Sequence, residues 1–371
     1  MKNYDAIVIG AGQAGVPLAK KLAAQGWKTA LIEKRFIGGT CVNDGCTPTK
    51  TMIASGRIAY LSSRSKDWGI ITDEVKIDMP AIKKRKDDIV ISSRNGSEVS
   101  LRETANLYLL LGEATFIGFK KLSVKLNNGN IQELTAEKIF IDTGGKPQIP
   151  NIEGIGNVSY LTSTTILYLE EVPESLLIIG AGYIALEFGQ LFRRLGSHVT
   201  ILESSPTFLH KEDDDVADVM MKILQEDGIT ILLNAKTKKL QNTADKKIEA
   251  SIEVNGETQK IISSHVLVAT GRLPQTEELA LDKTGVTTDE KGHILVNDKL
   301  ETIVAGIYAL GDVKGGPEFT HISYNDFVVV FQNLIHKTNH SIKDRLVPYY
   351  MFTDLQLGRV GITEKEARKM G

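Results

Sequence analysis

Residues 4–15 have the sequence YDAIVIGAGQAG, and this stretch decides the fold. The apolar, β-branched run before the first glycine predicts a strand, and the pattern of residues 16–25 predicts a helix. The turn between them has the spacing G-x-G-x-x-G, which is informative in this strand–turn–helix setting. Gly10 permits the tight turn, Gly12 lets the backbone approach a pyrophosphate, and Gly15 lets the helix pack closely. The sequence therefore predicts a dinucleotide diphosphate at the helix N-terminus, where free N–H groups and the helix dipole favour an anion.

The same pattern occurs a second time. Residues 176–203 repeat the order strand, glycine turn, helix and strand, with GAGYIA at residues 180–185. In both copies an acid, Glu33 or Glu203, follows the first glycine of the turn by 23 residues. A single glycine turn is common without any ligand, but two copies with an acid at equal spacing predict two dinucleotide sites. Each acid is expected to accept hydrogen bonds from a ribose.

Composition narrows the function further. The chain has 371 residues, 42% hydrophobic and 24% charged, which predicts an ordinary globular protein of two or three domains. A net charge of −2 gives no basic counterpart for nucleic acid or an anionic membrane. The basic run at residues 83–86 is followed at once by Asp87 and Asp88, which indicates a solvated helix face. No apolar run has the length of a membrane span, and no leader pattern is present, so we expect a cytoplasmic protein.

Both cysteines lie in residues 38–50, GGTCVNDGCTPTK. Pro48 fits the first position of a helix with Thr47 as its N-cap. Cys46 then lies just before a helix N-terminus, where the dipole stabilises a thiolate and lowers its pKa. Lys50, one turn into the helix, adds positive charge.

Three features of this segment weigh against a simple conclusion. Asp44 opposes the helix dipole and Lys50, because a nearby carboxylate raises the pKa of a thiol. Two cysteines can also be small buried hydrophobic residues without chemistry. A zinc site needs about four ligands, and the pair His336 and His340 is far away in sequence, so we expect no metal site.

The segment resembles the active-site signature of the class I pyridine nucleotide–disulfide oxidoreductases. That family includes dihydrolipoamide dehydrogenase, glutathione reductase and mercuric reductase. The resemblance extends along the chain through three further motifs: Asp142-Thr143-Gly144, Ala269-Thr270-Gly271-Arg272 and Ala309-Leu310-Gly311-Asp312. It implies an α/β fold with two Rossmann-like dinucleotide-binding domains, a discontinuous FAD domain and an inserted NAD domain.

The resemblance also implies roles for single residues. Cys41 matches the interchange thiol that meets the substrate, and Cys46 matches the charge-transfer thiolate beside the flavin. Lys50 matches a lysine near flavin N5, Glu187 its ion-pair partner, and Tyr183 the aromatic lid over the flavin. The implied FAD-binding residues are Gly10, Gly12, Gly15, Glu33, Thr40, Lys50, Thr143, Gly144 and Asp312. The implied NAD-binding residues are Gly180, Gly182, Tyr183, Glu187, Glu203 and Gly271.

The sequence predicts the nicotinamide coenzyme, but it leaves the electron acceptor open. Glu203 favours NADH over NADPH, because a carboxylate repels a 2′-phosphate and residues 204–215 contain no arginine. The cysteine signature and residues 316–324 resemble the mercuric-reductase-like branch, which implies a soft metal ion or a small molecule as acceptor. Two alternatives stay open: a dihydrolipoamide dehydrogenase-like disulfide reductase, and a non-catalytic FAD-binding protein or sensor.

We expect four segments along the chain. Residues 1–149 and 272–345 are predicted to form the FAD domain, residues 150–271 the NAD domain, and residues 346–371 the beginning of an interface domain. Members of the family continue with that domain, which forms the dimer and supplies a histidine. The sequence contains no candidate for this histidine, so we expect a truncated form and a poor disulfide reductase. The full-length form is expected to be a homodimer, and this chain monomeric or unstable.

Overall fold

The computed structural model describes all 371 residues and divides into two compact units. The first unit consists of Met1–Thr47, Ile89–Lys146 and Arg272–Val347. The second unit consists of Pro48–Asp88, Pro147–Gly271 and Pro348–Gly371. Sequence analysis placed residues 48–88 with the FAD domain and residues 346–371 in a domain of their own, whereas contacts group both with residues 147–271. The assignment of a cofactor to each unit stays a prediction.

The elements alternate between strand and helix along most of the chain. The strands are β1 (Lys2–Ile9), β2 (Thr29–Glu33), β3 (Leu107–Gly118), β4 (Lys121–Leu126), β5 (Ile131–Ile141), β6 (Gly145–Pro147), β7 (Ser175–Ile179), β8 (His198–Leu202), β9 (Thr230–Leu232), β10 (Ala235–Asn242), β11 (Ile248–Val254), β12 (Glu257–Ser263), β13 (His265–Val268), β14 (Arg272–Pro274), β15 (Ile307–Ala309), β16 (Pro348–Met351) and β17 (Leu357–Val360). The helices are α1 (Gly15–Ala24), α2 (Gly39–Asn43), α3 (Cys46–Ser63), α4 (Met79–Arg102), α5 (Tyr183–Leu195), α6 (Asp214–Glu226), α7 (Thr320–Ile335) and α8 (Glu364–Met370).

The first unit is built on one six-stranded sheet. Strands β15, β5, β1, β2 and β3 run parallel, and β4 pairs antiparallel with both β3 and β5. Val8 in the central strand β1 pairs with Leu31 on one side and Phe140 on the other. Alternate residues of β1 enter two separate cores, and helices α1 and α7 cover the core that contains Val8. Because parallel strands end at the same edge, this sheet directs the glycine turn after β1 and the chain after β5 to one place.

The second unit contains a four-stranded parallel sheet in the order β13, β7, β8, β9. Ile178 in β7 pairs with Leu267 and Ile201 in the flanking strands. Helix α5 packs one face of the sheet with buried residues such as Phe188 and Phe192, while the antiparallel strands β10, β11 and β12 share the other core. This second βαβ unit, with its own sheet, confirms the predicted α/β class with two dinucleotide-binding domains.

The last residues of the chain belong to the second unit. Strands β16 and β17 form an antiparallel pair. Asp354 between them accepts a hydrogen bond from Arg194 at 2.9 Å, and Arg194 also donates to Asp227 at 2.9 Å. The Arg194 side chain is only 6% exposed, so this pair of contacts fixes the segment to helix α5. None of the helices combines the length and hydrophobicity that a membrane span requires.

Candidate functional site

The first glycine turn has a backbone that only glycine tolerates at two positions. Gly10 has a φ of +104°, and a Cβ atom there would lie 2.2 Å from the Asp142 carbonyl oxygen. At Gly15 a Cβ atom would lie 2.0 Å from the Gly10 carbonyl oxygen. Both distances are shorter than van der Waals contact, so the turn and helix α1 are packed directly on the end of β5. This agrees with the turn and packing roles that the sequence predicts.

The same turn presents a set of backbone donors. The N–H groups of Gly12, Gln13 and Ala14 have no acceptor within the protein. They lie at the N-terminus of α1, where unpaired N–H groups and the helix dipole favour a negative charge. Three adjacent donors without a carbonyl partner form a chemically suitable cradle for a diphosphate.

Glu33 is already engaged with the backbone. One carboxylate oxygen accepts the Ala11 N–H at 2.9 Å and the other accepts the Arg35 N–H at 2.7 Å. The predicted ribose contact is thus not the only function of this side chain, since it also fixes the turn. Each carboxylate oxygen has a second lone pair, so the ribose contact stays a prediction that these bonds permit.

The second glycine turn has the same backbone and a different environment. Gly180 has a φ of +102°, and a Cβ atom there would lie 2.4 Å from the Ala269 carbonyl oxygen. A Cβ atom on Gly182, however, would meet nothing within 4 Å. Glu203 accepts the Ser205 N–H at 2.8 Å and makes no bond to the turn. Gly271 closes the next strand end, where its carbonyl oxygen accepts the Gln148 N–H at 2.9 Å.

The cysteine segment is held against the first turn. The Gly38 N–H donates to the Ala11 carbonyl oxygen at 2.9 Å, and a Cβ atom on Gly39 would lie 2.8 Å from the Gly12 Cα atom. Thr40 and Cys41 follow in the short helix α2, and the Thr40 carbonyl oxygen accepts the Asp44 N–H at 2.8 Å. The segment that carries the thiols is therefore in direct contact with the turn, and Cys41 follows the contacting residue Gly39 by two positions.

Cys41 and Cys46 are not joined by a disulfide bond in the structure. Cys46 Sγ lies 3.1 Å from Thr320 Oγ1, a hydrogen-bonding distance for a thiol or thiolate. A hydrogen bond to Cys46 and, second, burial raise the pKa of Cys41 far above that of an ordinary thiol, while Thr320 acts in the opposite direction. The Cys41 thiol therefore keeps its proton to a higher pH than an ordinary thiol does. Cys46 is exposed and Cys41 is half-buried.

The structure corrects the predicted start of the helix that follows the cysteine pair. Helix α3 begins at Cys46, not at Pro48, so Cys46 lies in the first helical turn and Thr47 is not its N-cap. Proline has no N–H, and it fits the third helical position as well as the first, because an N–H at either position would have no acceptor within the helix. Asp44, expected to raise the thiol pKa, is paired with both guanidinium nitrogens of Arg35, which offsets its charge.

Lys50 and Glu187 form the predicted ion pair within the second unit. Lys50 Nζ lies 2.5 Å from Glu187 Oε2, and the Glu187 side chain is only 3% exposed. The other Glu187 oxygen accepts the Phe352 N–H at 2.9 Å, and Lys50 Nζ lies 4.5 Å from the centre of the Phe352 ring. Tyr183, the predicted lid, is the first residue of α5 and is half-buried.

The two remaining predicted flavin motifs lie at the C-terminal edge of the first sheet. Thr143 Oγ1 donates to the Gln275 carbonyl oxygen at 2.8 Å, and Gly144, with a φ of +67°, accepts the Gln275 N–H at 2.9 Å. Asp312 follows β15, and the Arg272 guanidinium lies 3.9 Å from its carboxylate. Burial raises the pKa of Asp312, although Arg272 and Lys314 lower it.

Sequence reasoning missed several side chains that support this site. They are Thr320 beside Cys46, Phe352 beside the Lys50–Glu187 pair, and two buried carboxyl groups near the first turn: Asp326, and Asp142, which was named as part of a motif but given no role. A signal for Asp142 was present, because a charged residue at the end of an otherwise apolar strand, IFID, is unusual at a buried position. The others depend on contacts between distant segments and had no local signal.

Comparison with known proteins gives consistent results. The family described as pyridine nucleotide-disulphide oxidoreductase matches residues 4–326. The chain is 37% identical to mercuric reductase of Staphylococcus aureus over 369 residues, which are 100% of this chain and 66% of that protein. It is 39% identical to the probable pyridine nucleotide-disulfide oxidoreductase RclA of Escherichia coli, of which it covers 80%. It is 34% identical to mitochondrial dihydrolipoyl dehydrogenase of Pisum sativum, of which it covers 74%.

Solved structures agree with these relatives. The Cu(II) complex of the HOCl-induced flavoprotein disulfide reductase RclA from Escherichia coli superposes with a TM-score of 0.91 at 36% identity, over 100% of this chain and 80% of that chain. The chain therefore spans about two thirds of the length of the mercuric reductase and four fifths of the length of RclA.

Proposed function

We propose that this chain transfers electrons from NADH through FAD to the Cys41–Cys46 pair and on to a soft acceptor. The chain belongs to the pyridine nucleotide-disulphide oxidoreductase family. One observation carries this proposal. The cysteine segment is attached to the first glycine turn by the Gly38–Ala11 hydrogen bond and the close approach of Gly39 to Gly12. A redox pair beside a diphosphate cradle is the arrangement that a flavin-linked dithiol needs.

The donor set of the first turn fits the diphosphate of FAD. The N–H groups of Gly12, Gln13 and Ala14 would hold it, and Glu33 and Asp312 would bind hydroxyl groups of the cofactor. FAD supplies the chemistry of accepting a hydride from a nicotinamide and passing on two electrons. We expect purified protein to be yellow, and Gly12→Val to lose the colour, because its side chain would fill the cradle.

The thiols perform the second half of the reaction. The reduced pair gives two electrons to the acceptor, and a Cys41–Cys46 disulfide bond forms while two protons leave. NADH ultimately supplies two electrons and one proton as a hydride, and a second proton from solvent completes the return to the dithiol. Thr320 Oγ1 lies within hydrogen-bonding distance of Cys46 Sγ, where it would stabilise negative charge on that sulfur, and this supports Cys46 as the thiolate beside the flavin.

Glu203 supports NADH as the electron donor. It lies directly after β8 at the second turn, where a carboxylate binds a ribose 2′-hydroxyl and repels a 2′-phosphate. The Ser205 N–H holds one carboxylate oxygen, which keeps the charge at the strand end.

A thiophilic metal ion is the acceptor class that the relatives favour. Mercuric reductases and a Cu(II) complex of RclA are among them, and thiolates prefer soft metal ions. Dihydrolipoamide dehydrogenase-like reduction of a small disulfide is the second candidate, supported by the relative from Pisum sativum.

The test is NADH oxidation by the purified chain with Hg(II), Cu(II), lipoamide or oxidised glutathione as acceptor. We expect turnover with a metal ion and its loss in both Cys41→Ser and Cys46→Ser. The two serine variants are each other's control. On reduction, Cys41→Ser should keep the long-wavelength absorption of a thiolate beside flavin, and Cys46→Ser should lose it. If both variants reduce the acceptor as fast as the native chain, the dithiol has no part in the reaction.

A further inference from the structure

The carboxyl group of Asp142 is enclosed beneath the first glycine turn. Its Oδ2 atom accepts the Gly15 N–H at 2.7 Å. A Cβ atom on Gly12 would lie 2.8 Å from Oδ2, and one on Gly311 would lie 2.9 Å from Oδ1. The residue is 7% exposed. Asp142 therefore occupies the space directly behind the donors that the proposed function assigns to the FAD diphosphate.

The surroundings of Asp142 are mainly negative. The charged groups that act on it from neighbouring elements are Glu33 at the end of β2, Asp312 in the turn after β15, and Asp326 in α7. Three cations lie beside two of these carboxylates: Lys314 and Arg345 beside Asp326, and Arg272 beside Asp312. The glycine turn itself carries no charged residue. Asp142 is thus a buried acid without an ion-pair partner among three other carboxylates.

Burial, above all, and the neighbouring carboxylates raise the pKa of Asp142 well above that of an ordinary aspartic acid, although the Gly15 N–H lowers it. When ionised, the carboxylate places a negative charge at the N-terminus of α1, where it offsets the helix dipole. A diphosphate at the same helix end would be repelled by that charge. When protonated, the carboxyl group still accepts the Gly15 N–H through an oxygen lone pair, without the charge.

We propose that Asp142 is a proton-linked control on FAD retention, in which the neutral carboxyl group admits the flavin diphosphate and the carboxylate opposes it. The inference rests on the proposed function, because it takes the first turn as the FAD site. The second turn provides an internal comparison, since Ala269 stands where Asp142 stands in the first and cannot titrate. Titration of this position should therefore make the binding of FAD depend on pH, but not the binding of the nicotinamide coenzyme.

The sign follows from linkage. Since FAD binds the protonated form more tightly, its binding takes up a proton, and its dissociation constant rises with pH. One linked proton allows a rise of up to about tenfold per pH unit. The rise begins at the pKa of the FAD-free protein, which lies above the ordinary aspartate range.

The experiment measures the FAD dissociation constant of the full chain by flavin fluorescence after removal and return of FAD, from about pH 5 to about pH 9. We expect weaker binding at higher pH for the native chain and a flat profile for Asp142→Asn, which keeps an acceptor for the Gly15 N–H. Glu137→Gln, an exposed change in strand β5, which leads to Asp142, should retain the native slope. A native profile without slope, or an equal slope in Asp142→Asn, would overturn the proposal.

A second measurement needs no variant. FAD added to the native FAD-free chain in weak buffer with a pH indicator should take up protons, approaching one proton per FAD. Absence of uptake across the range would overturn the proposal even if Asp142→Asn does not fold. If FAD binds at no pH, the proposed function fails and this inference fails with it. If FAD binds without pH dependence or proton uptake, only the inference fails.

Discussion

The two glycine turns share a backbone and differ in the charges beneath it. Gly10 and Gly180 have φ values of +104° and +102°, and each packs on the carbonyl oxygen that ends a neighbouring strand. Beneath the first turn, Glu33 and Asp142 accept two of its N–H groups. Beneath the second, the equivalent of Asp142 is an alanine, and Glu203 bonds only beyond its strand.

The comparison separates the features that the backbone turn needs in order to form from the features that suit a particular ligand. The positive φ and the strand carbonyl are common to both turns, so they belong to the βαβ unit itself. Hydrogen bonds from the turn to carboxylates occur only at the first turn, where they fix the backbone. A site fixed in advance loses less entropy on binding, which suits a cofactor that stays bound. The second turn, with open space at Gly182, suits a coenzyme that exchanges.

The largest effect is expected at the third glycine of the motif. Gly15→Ala would place a Cβ atom 2.0 Å from a backbone oxygen that cannot move without opening the turn. We expect a loss of about 3 kcal/mol or more in the free energy of unfolding, measured in urea. The second turn already has Ala185 at this position, so Ala185→Gly should cost only about 1 kcal/mol. Equal stability of Gly15→Ala and the native chain would show that the turns do not differ here.

The next largest effect is the difference in stability between variants of Glu33 and Glu203, the acids that follow the two turns. Glu33→Ala leaves the Ala11 N–H, in a fully buried residue, without an acceptor, and we expect a loss of about 2 kcal/mol. Glu203→Ala frees a half-buried Ser205 N–H that water can reach, and should cost less than about 1 kcal/mol. Thermal unfolding of both variants checks this order. A reversed order would contradict the bracing role of Glu33.

Sequence alone was sufficient for the features that depend on local spacing. The two glycine turns, the strand–helix order and the Lys50–Glu187 pair lie where the residues and the family resemblance predicted them. The turns and the strand–helix order succeed because a positive φ and a helix N-terminus are properties of neighbouring residues. Lys50 and Glu187 are 137 residues apart, and their pairing was implied by the family resemblance alone.

What the sequence did not predict depends on residues brought together from afar. Arg35 cancels the charge of Asp44, and Thr320 reaches Cys46 from 274 residues away. Helix α3 begins at Cys46, two residues before the predicted start at Pro48, because the exact end of a helix depends on which acceptors its N–H groups find. Relative exposure of the two thiols also follows from packing, which no spacing rule contains.

The glycine with open space offers a test of binding apart from folding. In Gly182→Ala the new methyl group meets no protein atom within 4 Å, so the stability of the chain should not change. The methyl group would enter the space that a pyrophosphate needs, and we expect NADH affinity to fall about tenfold, or about 1.4 kcal/mol. Gly156→Ala, also open and in the same unit, is the control and should retain affinity. Unchanged NADH binding in Gly182→Ala would place the coenzyme elsewhere.

The smallest effect concerns the choice between NADH and NADPH. Glu203→Gln removes a half-exposed charge while keeping a side-chain oxygen for the Ser205 N–H. Solvent screens such a charge, so its repulsion of a 2′-phosphate is worth about 1 kcal/mol, and the ratio of NADH to NADPH affinity should fall about fivefold. The fall should shrink at high salt, since screening already weakens the native repulsion. Glu226→Gln, an exposed acid at the end of α6, controls for net charge and should leave the ratio unchanged. A native chain that prefers NADPH, or an equal change in both variants, would mean that the charge after β8 does not select the coenzyme.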